Sequence, residues 1–587
     1  MAEEEKVPRN YNVAVPCVLF FVLSMVIYYY ALHPETLALV FFGILMGFLW
    51  AFVFLGWSYA GDKSKLYGLK VVCDRLPAVK KPDGHVVFKK KMIWTALILI
   101  LYFVMTNVML FGLDQKKTID LFASWRVIMA GAQGSLMHLG IGPIVTGSII
   151  MQLFTGAKII SLDLSKKEDK AVYQSTQKLV VIAMIFVEAI PQVYGYLTPS
   201  ASLVSSLNSW SAGNGQTIAQ AIIVIQLVFG SYLVFLMDEV VSKWGIGSGI
   251  SLFIAAGVAE AIFTGTINWL PVKATDALSL QNPPAGTIPK TIYLLQNMSA
   301  GELANGGFEQ IFLAHPNPVI ALIGTIAIFF IVAYVESTRL ELPLAHGRAR
   351  GARGRYPIRL MYASNIPVIL MSALLANIAM FSMLLWSHPT LSQIPYIGHQ
   401  WWIGAYPTPE QAEQLGISQS TAISGGAYYL STVNGLHEWL LPLFNPQRYE
   451  GYMRGHTYWQ VFAHVVVFLS AMVIGSIFFA KFWIETTNMN AKAVAEQIER
   501  QGMQIPGFRR DPRILERVLE RYIPYVTIFS GAAVGALAAV ADMIGTVGNA
   551  SGTGVLLTVG IMINMYEAMA REQLMEMHPL LRGFFGE

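Results

Sequence analysis

The chain has 587 residues, 55% hydrophobic and only 13% charged, with a mean hydropathy of +0.51. Soluble domains carry about 25% charged residues, so this balance excludes a soluble multidomain protein and fits a chain that threads a bilayer many times. The formal net charge of +4 is small, and where the charge sits says more than its total.

Crossing about 30 Å of hydrocarbon takes roughly 20 apolar residues in a helix. Twelve such runs fall near 11–32, 36–59, 92–113, 139–156, 177–197, 217–237, 247–268, 317–337, 363–386, 458–483, 525–547 and 553–570. The first is too long for a signal-peptide core, lacks a small-residue cleavage site and is followed at once by another span, so it reads as an anchor. Cys17 and Cys73 fall in a span and in a basic segment, which supports neither a disulfide framework nor a cysteine metal site.

Lys and Arg concentrate on cytoplasmic loops. Lys63 to Lys91, Lys158 to Lys170, Arg339 to Arg359 and Arg500 to Arg521 all fall on one side of the twelve-span path. Segments 198–216 and 548–552 hold no Lys or Arg, and 269–316 and 388–457 hold few for their length. The expected topology is therefore multi-pass with both termini cytoplasmic. The two long outer segments read as folded caps or surface hairpins, and Trp401, Trp402, Tyr428, Tyr429 and Trp439 fit an interfacial aromatic belt.

Residues 122–155 pair a glycine-broken, small and polar first half with a clean apolar helix. Backbone at membrane depth can leave the helical state only where protein or a water-filled cavity satisfies it. This discontinuity predicts a path through the membrane, in a channel or a transporter. Gly531 and Gly535 form a GxxxG pair that permits close helix approach. His138 and His464 stand without metal-ligand spacing, and no phosphate loop, nucleophile elbow or paired-carboxylate motif is present, so neither enzyme chemistry nor a cofactor is expected.

Several long stretches in one order resemble the SecY family, in its archaeal form: LGIGPIVTGSIIMQL (139–153), DEVVSKWGIGSGISLFIAAGVAEAIF (238–263) and RLELPLAHGRARGARGRYPIRLMYASNIPVILMSALLAN (339–377). Further matches are residues 84–107, 482–524 and 552–574, and the likeness covers roughly 68–580. The stretch YPIRLMYASNIPVIL is also similar to the alpha subunit of the eukaryotic translocon. The resemblance implies an all-α polytopic fold with a ten-helix core of two inverted five-helix halves, 92–268 and 317–572, around a protein-conducting pore in the plasma membrane. A basic cytoplasmic segment with an amphipathic helix (61–91) precedes this core and a short cytoplasmic tail (573–587) follows it. Residues 1–60 add two membrane helices that the common core lacks.

The likeness also implies roles for four residue sets. Ile141, Val145, Ile250, Ile254, Ile366, Ile369 and Leu557 match the pore ring; the i,i+3 and i,i+4 spacings put each pair on one helix face, and a ring of branched aliphatics can block ions by dewetting. Residues 122–138, with Trp125, Ile128, Met129, Gly131 and Gln133, match the plug. Thr146, Glu188 and Asn377, polar groups in apolar helices, match the lateral gate, where an ionisable Glu needs a partner. Arg348, Arg350, Arg353 and Arg355 in loop 338–362, with Arg509 and Arg510 in loop 484–524, match the ribosome-docking loops, where clustered Arg meets RNA phosphate. Implied partners are the small subunits SecE and Sec-beta, a translating ribosome, nascent polypeptides, membrane lipid and, indirectly, the signal recognition particle receptor. The competing reading is an ion-coupled secondary transporter, which also uses inverted halves and broken helices but needs charges deep in several spans, whereas the presumed pore here is aliphatic.

Overall fold

The computed structural model describes Leu66 and residues 77–577, apart from the stretches 115–128, 157–159, 163–165, 273–276, 347–352, 388–390, 394–397, 413–418, 445–452 and 505–511 and some isolated positions. The expected spans at 11–32 and 36–59, most of the basic segment, Cys17, Cys73, Trp125, Ile128, Arg348, Arg350, Arg509, Arg510 and residues 578–587 lie outside the described residues.

The principal helices are α1 (Phe88–Asn107), α2 (Gly142–Gly156), α3 (Lys167–Gly195), α4 (Ala201–Ser211), α5 (Gly215–Trp244), α6 (Gly249–Ile267) and α7 (Thr287–Asn297). They continue with α8 (Val319–Ser337), α9 (Ile366–Ser387), α10 (Tyr458–Thr486), α11 (Ala491–Arg500), α12 (Pro512–Ile544) and α13 (Gly552–Met577). Among the described residues eight are long and apolar enough to cross a membrane: α3, α5, α6, α8, α9, α10, α12 and α13. With α1 and the shorter apolar α2 they make the ten helices expected of the core.

Where the sequence reading and the helices differ, the basic end is the reason. Helix α3 begins ten residues before its expected span and α12 thirteen before its own. Lys167 and Arg513 to Arg521 make these extensions polar, so hydropathy alone stops at the membrane boundary while the helix continues into water. Loop 338–362 holds β-structure that an all-α reading does not anticipate. Strand β1 (Arg339–His346) pairs antiparallel with β2 (Arg353–Arg359), Arg339 opposite Arg359, and with β3 (Met503–Gln504), His346 opposite Met503. The sheet order is β2-β1-β3, so the two basic loops leave one small sheet together.

One core cluster runs through both halves, from Tyr102 and Phe253, whose rings stack 5.1 Å apart, to Phe468, Ala538 and Leu557. Gly531 and Gly535 let α12 approach α10 closely: a Cβ at these positions would come within 2.8 Å of Ile477 Cα and 2.6 Å of the Met472 carbonyl oxygen. At the basic end Lys91 of α1 pairs with Glu572 of α13 at 2.6 Å, joining the first helix of the core to its last. The outer segments fold onto the opposite end. Trp439 Nε1 donates to the Met543 carbonyl at 2.9 Å, Gly435 N to the Asp542 carbonyl at 2.9 Å, and Gly548 N to Asn317 Oδ1 at 2.7 Å. The aromatic belt divides accordingly: Trp401 and Trp402 are exposed, whereas Tyr428 is buried against His456 and His464.

Candidate functional site

The break before α2 has a concrete backbone cause. Gly134 and Gly140 adopt φ of 68° and 54°, and a Cβ at Gly140 would stand 2.1 Å from the Met129 carbonyl oxygen. Only glycine fits such a turn. The loop then satisfies itself: Ala132 N donates to Met137 O at 3.1 Å, Ile141 N to Met129 O at 2.8 Å, and Gly134 N to His138 Nδ1 at 3.0 Å. Neighbours close the rest, with Leu136 N on Val108 O at 2.9 Å and the Tyr102 hydroxyl on Ala130 O at 3.3 Å. A Cβ on Gly230 would lie 2.1 Å from the Leu136 carbonyl oxygen, so α5 is shaped to receive this loop. Of the described residues expected in the plug, Met129 and Gly131 are partly buried and Gln133 is exposed.

Directly beside this loop the structure brings Thr146, Glu188 and Asn377 together from α2, α3 and α9. The Thr146 hydroxyl lies 2.9 Å from Glu188 Oε1 and 2.9 Å from the Gly142 carbonyl, and it accepts from Asn377 Nδ2 at 3.2 Å. Asn377 Nδ2 also donates to its own helix at the Ala373 carbonyl, 3.0 Å away. Of these bonds the one from Asn377 to Thr146 joins the first half to the second, and the others lie within one half. Met129, Gly131, His138, Leu139, Gly142, Gln192 and the three polar residues line one cavity, with space for about one water molecule.

Two residues of this cavity escaped the sequence reading. Gln192 is buried, one turn beyond Glu188 on the same face of α3, and its Nε2 contacts Met380 Sδ on α9 at 3.8 Å while its Oε1 has no hydrogen-bond partner. The i,i+4 spacing from Glu188 was the available signal. His138, read only as lacking metal-ligand spacing, instead receives the Gly134 amide and faces the cavity.

The seven aliphatics expected to form a ring fall in the one core cluster: Ile141, Val145, Ile254 and Leu557 are buried within it, and Ile250, Ile366 and Ile369 pack against it. They come from α2, α6, α9 and α13, or from the residue just before α2. Arg353 and Arg355 sit on β2, opposite Ala345 and Pro343 of β1.

A polar clamp that sequence reading also missed lies at the basic end. Glu239 of α5 accepts from Val79 N at 2.8 Å and pairs with Lys243 at 3.1 Å and with Lys178 of α3. Lys243 Nζ, Trp244 Nε1 and the Tyr232 hydroxyl donate to the carbonyls of Val79, Lys80 and Pro77 at 2.6, 2.9 and 2.8 Å. Backbone partners leave no side-chain pattern, so the strap 77–80 is invisible in the sequence.

A helical membrane bundle whose halves meet at a polar seam, beside a self-satisfied loop and an aliphatic core, has the architecture of a gated channel. The SecY family model matches residues 135–566, and a model for the plug domain of Sec61p matches residues 100–134. The chain is 44% identical to a protein translocase subunit SecY of Archaeoglobus fulgidus, over 89% of this chain and 99% of the relative, and 42% identical to that of Haloferax volcanii, over 91% and 100%. Among solved structures, a protein-conducting channel superposes with a TM-score of 0.66 at 37% identity, covering 86% of this chain and 98% of the other. Sec61 from a canine ribosome-channel complex of the endoplasmic reticulum matches at 0.64 and 37%, with the same coverage. The chain belongs to the SecY family. It is a channel subunit of protein translocation and not an enzyme, which replaces the transporter reading.

Proposed function

We propose that this chain forms the central pore through which unfolded polypeptides leave the cytoplasm, with a lateral gate between α2–α3 and α9 that passes apolar helices into lipid. The observation that carries the reading is the Thr146–Glu188–Asn377 seam, where a single hydrogen bond, Asn377 to Thr146, crosses between the two halves beside the loop 129–140. Thr146 and Asn377 each have a second partner on their own helix, so parting the seam orphans neither. In this reading Ile141, Val145, Ile250, Ile254, Ile366, Ile369 and Leu557 form a gasket that touches a moving chain without binding it. The segment 122–138, with Trp125, Ile128, Met129, Gly131 and Gln133, plugs the pore at rest. In this reading the protein lies in the plasma membrane with both termini in the cytoplasm, and SecE and Sec-beta are its companion subunits.

The same reading assigns ribosome docking to Arg348, Arg350, Arg353, Arg355, Arg509 and Arg510. Its support is the pairing of β1 with both β2 and β3, which gathers the two arginine-bearing loops at one sheet. Contacts of this kind are phosphate-directed and salt-dependent.

The test places a photo-crosslinker at Ile254, and as a control at the exposed Phe330 of α8, then stalls a secretory chain during translation. Crosslinks from position 254 that move along the chain as it lengthens are expected. Ribosome binding without any crosslink at 254 would overturn the pore assignment.

A further inference from the structure

The two pore-lining helices α6 and α13 begin in the same way, at opposite ends of the molecule. Helix α5 ends at the basic end, and near its end Asp238 Oδ1 accepts from Ile250 N, twelve residues on, at 3.0 Å. Helix α12 ends at the other face, and near its end Asp542 Oδ1 accepts from Thr553 N, eleven residues on, at 3.0 Å, while Oδ2 accepts the Thr553 hydroxyl at 2.6 Å. In both corners the donating amide directly follows a Ser-Gly pair, Ser248-Gly249 and Ser551-Gly552.

The glycines are there for the same reason. A Cβ on Gly249 would lie 2.6 Å from Asp238 Cα, and one on Gly552 would lie 2.1 Å from the carbonyl carbon of Ala541 and 2.4 Å from Asp542 N. Each pore helix therefore starts jammed against the aspartate-bearing turn of the helix before it. Five residues beyond each glycine stand Ile254 and Leu557, both fully buried in the shared core. The correspondence spans the aspartate, the Ser-Gly start and the aliphatic residue, and it relates the two halves with reversed direction, the aspartate standing one residue farther from the glycine in the first half.

From this geometry we infer that Asp238 and Asp542 are a matched pair of positioning residues that fix the axial register of α6 and α13 and so hold Ile254 and Leu557 at one height in the seal. The inference rests on the ring reading given above. An α-helix rises 1.5 Å per residue, so a slip of one residue at either corner moves its ring member out of plane and turns it about 100° away. Each aspartate accepts the free N-terminal amides that a helix start leaves without partners, and its grip acts along the helix axis, the direction in which the ring must not move.

The test uses the full-length chain purified with its native subunits, reconstituted in vesicles, with resting ion leak measured per assembled channel. Asp238→Leu and Asp542→Leu are each expected to raise the leak about tenfold, the population shift that follows loss of one buried hydrogen bond of the stronger kind. Asp238→Asn and Asp542→Asn keep an acceptor for the backbone amide and are expected to stay near wild type. A role confined to folding would lower the amount of assembled channel without changing the leak of each. Where a Leu variant fails to assemble, Thr553→Val, which removes only the hydroxyl donor to Asp542, should give an intermediate leak. Wild-type leak in assembled Leu variants, or in Thr553→Val, would overturn the inference, as would equal leak in the Leu and Asn variants. The double variant Ile254→Gly with Leu557→Gly separates the two readings: if it leaks and the aspartate variants do not, the anchors fail and the ring stands, whereas if it does not leak the ring itself is wrong.

Discussion

The polar seam proposed as the gate and the aliphatic set proposed as the ring share helices α2 and α9 but are held by opposite physics. At the seam three side chains on three helices exchange hydrogen bonds at 2.9 and 3.2 Å, so identity and direction matter. In the core seven aliphatics on four helices contribute only shape and volume, and no single partner defines any of them. A latch that must open sideways to varied apolar helices needs a defined closed state that is weakly held. A gasket around a moving chain needs tolerance of whatever passes. Thr146 and Asn377 each keep a bond to their own helix, at Gly142 and Ala373, when the bond between them breaks.

The largest expected effect breaks the apolar side of this comparison. Replacing both Ile254 and Leu557 by Gly empties two fully buried positions and lets water wet the constriction, because dewetting depends on the apolar lining. Conductance of resting channels should rise by about an order of magnitude or more, since a wetted constriction no longer excludes ions. Single Ile-to-Leu or Ile-to-Val exchanges should change little, because volume-conserving swaps cost less than about 1.5 kcal/mol. Planar-bilayer recording checks both, and a strong effect of the conservative swaps would show that the core carries directional specificity after all.

The next effect breaks the polar side. In hydrocarbon an apolar interface gains nothing by staying shut, and interhelical hydrogen bonds contribute about 0.6 kcal/mol on average. Thr146→Val and Asn377→Leu, which remove the bond between the halves, should each favour the open gate about threefold, by the tenfold-per-1.4 kcal/mol conversion. Export of substrates with weakened signal sequences should improve correspondingly. Glu188→Gln retains an acceptor for Thr146 and should stay near wild type. Unchanged or poorer export in Asn377→Leu would show that the seam does not hold the gate.

These sets differ in how far they could be read from the chain. Long apolar runs located the ten described core helices, and the glycines of 131–140 marked the break, because both features follow from local chemistry. That Thr146, Glu188 and Asn377 belong together was expected from resemblance alone, since they lie up to 231 residues apart and no spacing rule links them. The β1–β3 pairing rests on a two-residue strand too short to carry alternation. The anchors and the clamp at Glu239 work through backbone amides and carbonyls, which every residue has and no sequence pattern reveals.

A smaller effect sharpens the comparison at the basic end, where polar contacts work beside water. Glu239 ties the strap 77–80 to α5 and, through Lys178, to the gate helix α3. Glu239→Gln removes the carboxylate charge that faces both lysines while keeping an acceptor for Val79. The strap should loosen by about 1 kcal/mol, the scale of a partly exposed ion pair, and trypsin should cut more readily after Lys80. High salt should reproduce part of this in the wild type through screening. Equal cleavage in the variant and the wild type at low salt would mean that the backbone contacts of Lys243 and Trp244 suffice.

The smallest effect concerns a polar group buried outside the membrane, a third regime beside seam and core. Lys290 of α7 is 1% exposed, its Nζ donates to the Pro316 carbonyl at 3.0 Å, and burial pushes its pKa down from 10.5 to about 8. Below about pH 8 the ammonium is charged whether the outer segment is docked or free, and its desolvation weakens docking by a constant amount. Between about 8 and 10.5 the docked form has lost a proton that the free form keeps, so docking strengthens as pH rises, and above 10.5 it levels off. Protection of 269–316 from hydrogen exchange or protease should increase across that window, by at most about tenfold per pH unit for one proton. Lys290→Met keeps the stem's packing and should remove the slope while leaving protection at neutral pH equal or higher. A slope that survives in Lys290→Met would assign the titration to another group. Its loss would show that, away from the bilayer, a single buried charge is held against its own preference by the packing around it, as neither the seam nor the core requires.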